Sequence, residues 1–126
     1  MNSLLVMLGG AIGSLARYQF GRLCGHMFGT AFPYGTLGVN IIGGFLMGAL
    51  AGWLARFGSG GGEQLRLLIG VGVLGGFTTF SAYSLEIVLM MERGQALLAA
   101  FYAALSVVAA VVALLAGLML MRSVAA

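Results

Sequence analysis

The sequence has no lysine and no aspartate, and charged residues make up only 7% of its 126 residues. In contrast, 61% of the residues are hydrophobic. Water-soluble domains carry about 25% charged residues, so this chain is too poor in charge to form a soluble catalytic domain. We therefore expect one transmembrane domain over residues 1–126, and we do not expect an enzyme.

Other absences narrow the possibilities further. The single cysteine, Cys24, excludes an intrachain disulfide, and we interpret it as a small apolar residue. Six arginines outnumber three glutamates, but they are dispersed along the chain. Because no basic cluster exists, we expect no nucleic-acid partner. No basic residue precedes the first hydrophobic stretch, which therefore does not resemble a secretory signal.

Long hydrophobic stretches predict four transmembrane helices. A helix needs about 20 apolar residues to cross the hydrocarbon core of a bilayer. Such stretches lie at about residues 4–23, 36–55, 65–91 and 95–121. The glycine-rich run 58–62 predicts a flexible middle loop, and the short connection 92–94 predicts an antiparallel hairpin of the last two spans. The expected fold class is an all-α membrane protein.

The third span contains the segment GGFTTFSAYS at residues 75–84. Glycine costs roughly 1 kcal/mol relative to alanine in a helix interior, and hydroxyl side chains compete with the helix by bonding to the backbone. The segment therefore predicts a break in the third helix at membrane depth. Freed backbone groups are tolerated there only where protein or a polar cavity satisfies them, and broken helices mark ion and substrate sites in transporters.

Glycines four residues apart predict close helix packing. They are Gly9 and Gly13, then Gly44, Gly48 and Gly52, then Gly72 and Gly76. Four helices packed this closely leave little room for a wide pore, so transport would need a narrow path or a second subunit.

Several polar residues lie inside the predicted spans. Arg17 either extends to the nearer membrane interface or lies at a pore mouth. The Asn40 amide either joins two helices or offers donors to a ligand. Glu86 could line a vestibule or pair with an arginine. Tyr102 and Ser106 are four residues apart and therefore share one face of the fourth span.

Phe80 and Tyr83 flank Ser81 in the broken segment. One interpretation is packing in the core or against lipid. The other uses the positive edge of an aromatic ring, which could stabilise a small anion in a narrow path. Composition does not choose between the two interpretations.

The chain resembles the Fluc (CrcB) family of fluoride channels over essentially its whole length. The motifs that carry the resemblance are GGAIGSLARY at 9–18, GTLGVN at 35–40, GGFTTFSAYS at 75–84, and Glu86 followed by Glu92-Arg93-Gly94. The resemblance implies a dual-topology antiparallel homodimer in the bacterial inner membrane. It also implies two pathways through which fluoride leaves the cytoplasm passively. The implied partners are fluoride, a second copy of the chain and the lipid bilayer.

The resemblance also implies the site residues. The pore would be lined by Asn40, Thr79, Phe80, Ser81, Tyr83, Ser84, Tyr102 and Ser106, with Arg17 and Glu86 near the vestibules. A structural sodium ion would lie on the two-fold axis, held by the backbone carbonyls of Gly75 and Thr78. The chain departs from the family at Tyr83, where phenylalanine is usual, and at Ala110, where the family has a polar residue.

Two other classes remain as alternatives. A small multidrug exporter also has four spans, but that class relies on an acidic residue in the first span, and this chain has Arg17 there instead. The third class is an assembly subunit that transports nothing.

The distribution of arginines predicts that the same chain inserts in both orientations. The side shared by the N-terminus, the middle loop and the C-terminus holds Arg56, Arg66 and Arg122. The other side holds Arg22 and Arg93, and also Arg17 if its side chain reaches that side. Orientation follows the arginine and lysine bias near the span ends, and this bias is nearly balanced.

Accessibility labelling measures this orientation. Single cysteines at Ser59 and Ala126, introduced into a Cys24→Ala background, should each be labelled from both sides of the membrane in comparable amounts. A single orientation for nearly all molecules would exclude the antiparallel dimer. As a control, two or three lysines added on one side should force a single orientation.

Overall fold

The computed structural model describes residues 1–57 and 62–125. In this part of the chain the structure contains helices and no strands. They are α1 (Asn2–Phe28), α2 (Tyr34–Phe57), α3 (residues 62–77), α4 (Ser81–Glu92) and α5 (Ala96–Ala125). The predicted loop residues 58–61, with the labelling positions Ser59 and Ala126, lie outside the described residues.

Among the described residues, three helical stretches are long and apolar enough to cross a membrane. These are Tyr34–Arg56, Gly62–Glu92, which covers α3 and α4, and Ala96–Val124. The architecture is that of a multi-pass membrane protein, as the composition predicts. The predicted first span falls on α1, which has 27 residues, but Arg17, Gln19 and Arg22 make its C-terminal half more polar. The count of four spans therefore stays a prediction.

The predicted break in the third span is confirmed. The helix stops at Phe77 and resumes at Ser81, and Thr78 is extended, with φ −83° and ψ 160°. Before the break, α3 is not a uniform helix. It contains a π-helical segment at Arg66–Leu74, between α-helical segments at Gly62–Leu65 and Gly75–Phe77.

The turns follow the local sequence. Pro33 immediately precedes α2, where its missing N–H costs little. The tight turn after α4 is closed by the Gly94 N–H, which donates to the Met91 carbonyl at 3.1 Å. Gly94 has φ 78°, a conformation that favours glycine, so the turn between α4 and α5 depends on this residue. The predicted hairpin of the last two spans is present.

Glycines bring α2 and α5 into close contact side by side. A Cβ atom at Gly44 would lie 2.8 Å from the Ala110 carbonyl oxygen, and Gly48 meets Leu114 in the same way one turn further on. From the other side, Gly117 faces the backbone of Phe45. Because both series advance in the same direction, the two helices run parallel. The predicted role of the glycine spacing in helix packing is confirmed for this pair.

On the other face of α5, Tyr102 packs against α4. A buried cluster consists of Tyr83, Met90, Ala99 and Tyr102. The break in the third span thus lies between α2 on one side and α5 on the other.

Candidate functional site

The break opens onto a cavity of about 460 Å³ between α2, α4 and α5. Its lining includes five of the predicted pore residues and both predicted carbonyl ligands. These are Asn40, Thr79, Phe80, Tyr83 and Ser106, with Gly75 and Thr78. The other predicted pore residues, Ser81, Ser84 and Tyr102, lie nearby but do not line this cavity. Residues separated by up to 66 positions in the sequence therefore meet at the break.

The Asn40 side chain is bonded twice to the backbone of one residue in the break. Its Nδ2 donates to the Thr79 carbonyl at 3.0 Å, and its Oδ1 accepts from the Thr79 N–H at 2.9 Å. Asn40 therefore joins α2 to the broken helix. One N–H of its amide group is left for another partner, since Nδ2 carries two hydrogens. Both interpretations of Asn40 from the sequence, a helix-joining amide and a ligand donor, are compatible with this geometry.

Other side chains satisfy the backbone around the break. Arg17 Nε donates to the Gly76 carbonyl at 3.1 Å, so its guanidinium is held towards the broken helix. Thr78 Oγ1 donates to the Leu74 carbonyl at 2.9 Å. Thr79 Oγ1 accepts from the Ala82 N–H at 3.2 Å, the pattern of an N-terminal helix cap. The break is therefore a defined conformation with its own hydrogen bonds.

The two aromatic residues of the broken segment differ sharply in exposure. Phe80 is 76% exposed, whereas Tyr83 is 8% exposed. Their ring centroids lie 5.5 Å apart at an interplanar angle of 44°. The Tyr83 hydroxyl donates to the Ala103 carbonyl on α5 at 2.8 Å. The hydroxyl that distinguishes Tyr83 from a phenylalanine is therefore satisfied by the protein, and the ring lies beside Phe80.

Glu86 forms a second polar centre with two hydroxyl groups. Thr36 Oγ1 donates to one carboxylate oxygen and the Tyr102 hydroxyl to the other, each at 2.9 Å. Within the described residues, Glu86 takes part in no ion pair, since the salt bridge found there joins Arg66 to Glu63. Glu86 instead lines a cavity of about 300 Å³ together with Tyr34 and Arg93.

The predicted serines occupy three different environments. Ser81 is exposed, and its hydroxyl lies 3.4 Å from Thr79 Oγ1. Ser84 is partly buried on α4. Ser106 is 4% exposed, and its Oγ has no hydrogen-bond partner among the described residues. Buried hydroxyls are nearly always paired, so the unpaired Oγ of Ser106, a residue that lines the 460 Å³ cavity, is unusual.

A basic cavity of about 550 Å³ runs along the C-terminal half of α1. Arg17, Arg22 and His26 line it together with Tyr18. The Arg22 guanidinium lies 6.0 Å from the centre of the Tyr18 ring. Arg17 belongs both to this cavity and to the hydrogen bonds of the break, so it connects a basic surface to the broken helix.

Thr36, the second partner of Glu86, is not among the site residues predicted from the sequence. A signal was present, because Thr36 is four residues before Asn40 and therefore lies on the same face of α2. The bond from Arg17 to the Gly76 carbonyl was not foreseeable in this way, since no sequence pattern indicates which carbonyl an arginine reaches.

Comparison with known proteins identifies relatives of the whole chain. A family model described as "CrcB-like protein, Camphor Resistance (CrcB)" matches residues 4–118. A protein of Novosphingobium aromaticivorans is 58% identical over 122 residues, which cover 95% of each chain. A protein of Phenylobacterium zucineum is 57% identical over 121 residues, 96% of this chain and 95% of its own. One of Caulobacter vibrioides is 52% identical with the same coverage. All three are named "Fluoride-specific ion channel FluC".

The two buried tyrosines make a matched pair for a stability test. Tyr102→Phe should lower the free energy of unfolding by about 1.5–3 kcal/mol, because it removes a hydrogen bond to a carboxylate. Tyr83→Phe should lower it by only about 0.5–1.5 kcal/mol, because its hydroxyl bonds to a neutral carbonyl. Denaturant titration of both purified variants measures the difference. Equal losses would show that the Tyr102 hydroxyl gains nothing from Glu86.

Proposed function

This chain belongs to the family of CrcB-like proteins, and on that premise we propose that it is a fluoride-specific ion channel. Fluoride leaves the bacterial cytoplasm through it passively, and the protein lies in the inner membrane. The observation that carries the proposal is the identity of 52–58%, over at least 95% of the chain, to relatives named as fluoride-specific ion channels.

The channel is a homodimer of two copies in opposite orientation, with two pathways. The nearly balanced arginines at the span ends support dual topology. The exposure of the break supports a second copy, because the Phe80 ring is 76% exposed beside the 460 Å³ cavity. A neighbouring subunit would enclose that cavity and remove the ring from lipid.

Fluoride passes along hydroxyl and amide donors beside the aromatic rings. Fluoride is small and strongly hydrated, so a path must replace its water with closely placed donors. The unoccupied N–H of Asn40 and the unpaired hydroxyl of Ser106 supply two of them in one cavity. Thr79, Ser81 and Ser84 supply further hydroxyls, and the edge of Phe80 faces the anion. The Tyr83 ring lies beside Phe80, and the two rings together form an aromatic wall of the path.

The two charged residues act at the ends of the path. Arg17 attracts the anion at the basic cavity of α1. Glu86 and Tyr102 lie on the side of Tyr83 that is away from Phe80, where the Tyr102 hydroxyl is bonded to the Glu86 carboxylate. The Tyr102 ring lies 5.4 Å from that of Tyr83, so Tyr102 supports the aromatic wall by contact.

The residues at the break also fit a structural sodium ion. The carbonyls of Gly75 and Thr78, from each of two copies, would hold it at the two-fold axis. Carbonyl oxygens suit a hard cation. The donors that a continuous helix would supply to these two carbonyls are bonded elsewhere, Thr79 N–H to Asn40 and Ala82 N–H to Thr79 Oγ1. When bound, the ion neutralises oxygen dipoles that would otherwise lie unpaired at membrane depth.

Efflux from liposomes tests the channel and its aromatic path together. Liposomes containing the purified protein should release fluoride and retain chloride. Phe80→Ile keeps an apolar side chain but removes the ring quadrupole, so fluoride flux should fall at least about a hundredfold, corresponding to about 2.7 kcal/mol. The dimer should persist on size exclusion.

The matched variants sharpen the result. Tyr83→Phe should retain flux, because it keeps the ring and removes only the hydroxyl. A Phe80→Ile dimer that carries fluoride at the parental rate would refute the aromatic path. Proton-driven cation uptake by the unmodified protein would favour the multidrug exporter, and absence of any transport would favour an assembly subunit.

A further inference from the structure

We propose that Asn40 and Thr79 are positioning residues that keep the carbonyls of Gly75 and Thr78 free of helical hydrogen bonds, so that the two oxygens can bind a monovalent cation. This inference rests on the sodium site of the proposed function, and in it two side chains keep the carbonyl ligands of that site unbonded.

Asn40 acts on the Gly75 carbonyl. In a continuous α-helix, the N–H of residue 79 would donate to the carbonyl of residue 75. Here the Thr79 N–H donates to Asn40 Oδ1 at 2.9 Å. The second bond, from Asn40 Nδ2 to the Thr79 carbonyl at 3.0 Å, fixes the orientation of the amide group. The Asn40 side chain thus accepts the Thr79 N–H that would otherwise donate to the Gly75 carbonyl.

Thr79 acts on the Thr78 carbonyl by the same principle. In a continuous helix, the N–H of residue 82 would donate to the carbonyl of residue 78. Here the Ala82 N–H donates to Thr79 Oγ1 at 3.2 Å. The hydroxyl therefore starts α4 and, in the same bond, removes the donor from Thr78.

The carbonyls of Leu74, Gly76 and Thr79, in contrast, each accept a hydrogen bond. The Leu74 carbonyl accepts from the Thr78 N–H at 3.0 Å and from Thr78 Oγ1 at 2.9 Å. The Gly76 carbonyl accepts from Arg17 Nε, and the Thr79 carbonyl accepts from Asn40. The carbonyls of residues 74, 76 and 79 thus accept hydrogen bonds. The N–H groups that a continuous helix would supply to carbonyls 75 and 78 donate to side chains instead. Gly75 and Thr78 line the same cavity.

The two atoms of the Asn40 amide separate this role from anion binding. The acceptor Oδ1 diverts the Thr79 N–H, whereas only the donor Nδ2 can bond to fluoride. Asn40→Asp keeps the acceptor and loses the donor. Asn40→Leu removes both at similar volume. For Thr79, serine keeps the hydroxyl and valine replaces it with a methyl group of similar shape.

The test is a sodium titration of dimer stability in the absence of fluoride. Purified protein is denatured at increasing sodium chloride, with N-methyl-D-glucamine chloride keeping the ionic strength constant. A cation that binds the native state stabilises it according to its concentration and affinity, so the titration gives a half-maximal sodium concentration. Fluoride flux does not enter the measurement.

We expect Thr79→Val and Asn40→Leu each to raise the half-maximal sodium concentration at least about tenfold, corresponding to about 1.4 kcal/mol. In these variants the freed N–H can return to its carbonyl, and sodium must displace it. Thr79→Ser should leave the value unchanged. Asn40→Asp should leave it unchanged or lower it, because the acceptor remains and its charge attracts the cation, even though fluoride flux is suppressed.

Each other outcome is decisive. If Thr79→Val and Asn40→Leu lower stability equally at every sodium concentration, with no shift of the half-maximal value, the residues are only structural and the inference is wrong. If the half-maximal sodium concentration shifts in only one of these two variants, the residue changed in the other is not a positioning residue. If the unmodified protein does not respond to sodium, the sodium site of the proposed function fails, and this inference fails with it. If one variant does not fold, the other decides, since Asn40 lies on α2 and Thr79 lies in the break.

Discussion

Backbone groups at membrane depth must find partners inside the protein, and the structure around the break depends on this constraint. The third span stops at Phe77 and resumes at Ser81, so several N–H and C=O groups lose their helical partners there. Side chains from other helices replace them. Asn40 reaches from α2 and Arg17 from α1, and both bond to the broken backbone. These two polar residues inside the predicted spans therefore supply hydrogen-bond partners to the broken backbone.

The site contains two polar centres. One is the break, with Asn40 and Thr79. The other is Glu86, which accepts from Thr36 and Tyr102. Tyr83 lies between them, with its ring 5.5 Å from Phe80 and 5.4 Å from Tyr102. Aromatic contact therefore links the centre that breaks the helix to the centre that holds the carboxylate.

Much of this could be predicted from the sequence, because its strongest signals are local. Glycine followed by hydroxyl residues at 75–84 predicts a helix break whatever the tertiary contacts of the segment. Glycines four residues apart predict close packing of α2 against another helix. The π-helical segment Arg66–Leu74 could not be predicted in this way, since its apolar sequence is equally suited to an α-helix. Its conformation depends on tertiary packing, in which Gly9 of α1 meets the backbone of Gly72.

The partners of the site residues were the least predictable part. The sequence indicates that Tyr102 and Ser106 share a face, and both are buried. It does not indicate that the Tyr102 hydroxyl is bonded to Glu86 while Ser106 Oγ has no partner among the described residues. Such distinctions depend on the relative rotation of α4 and α5, which a single sequence does not specify.

The central claim is that the broken helix supports passive and selective fluoride conduction. The reversal potential of the purified protein in a planar bilayer, with unequal fluoride and equal chloride on the two sides, tests this claim most directly. We expect the reversal potential to shift by about 59 mV for each tenfold fluoride gradient and not to respond to a proton gradient. A reversal potential that stays at zero, or that follows the proton gradient, would contradict it.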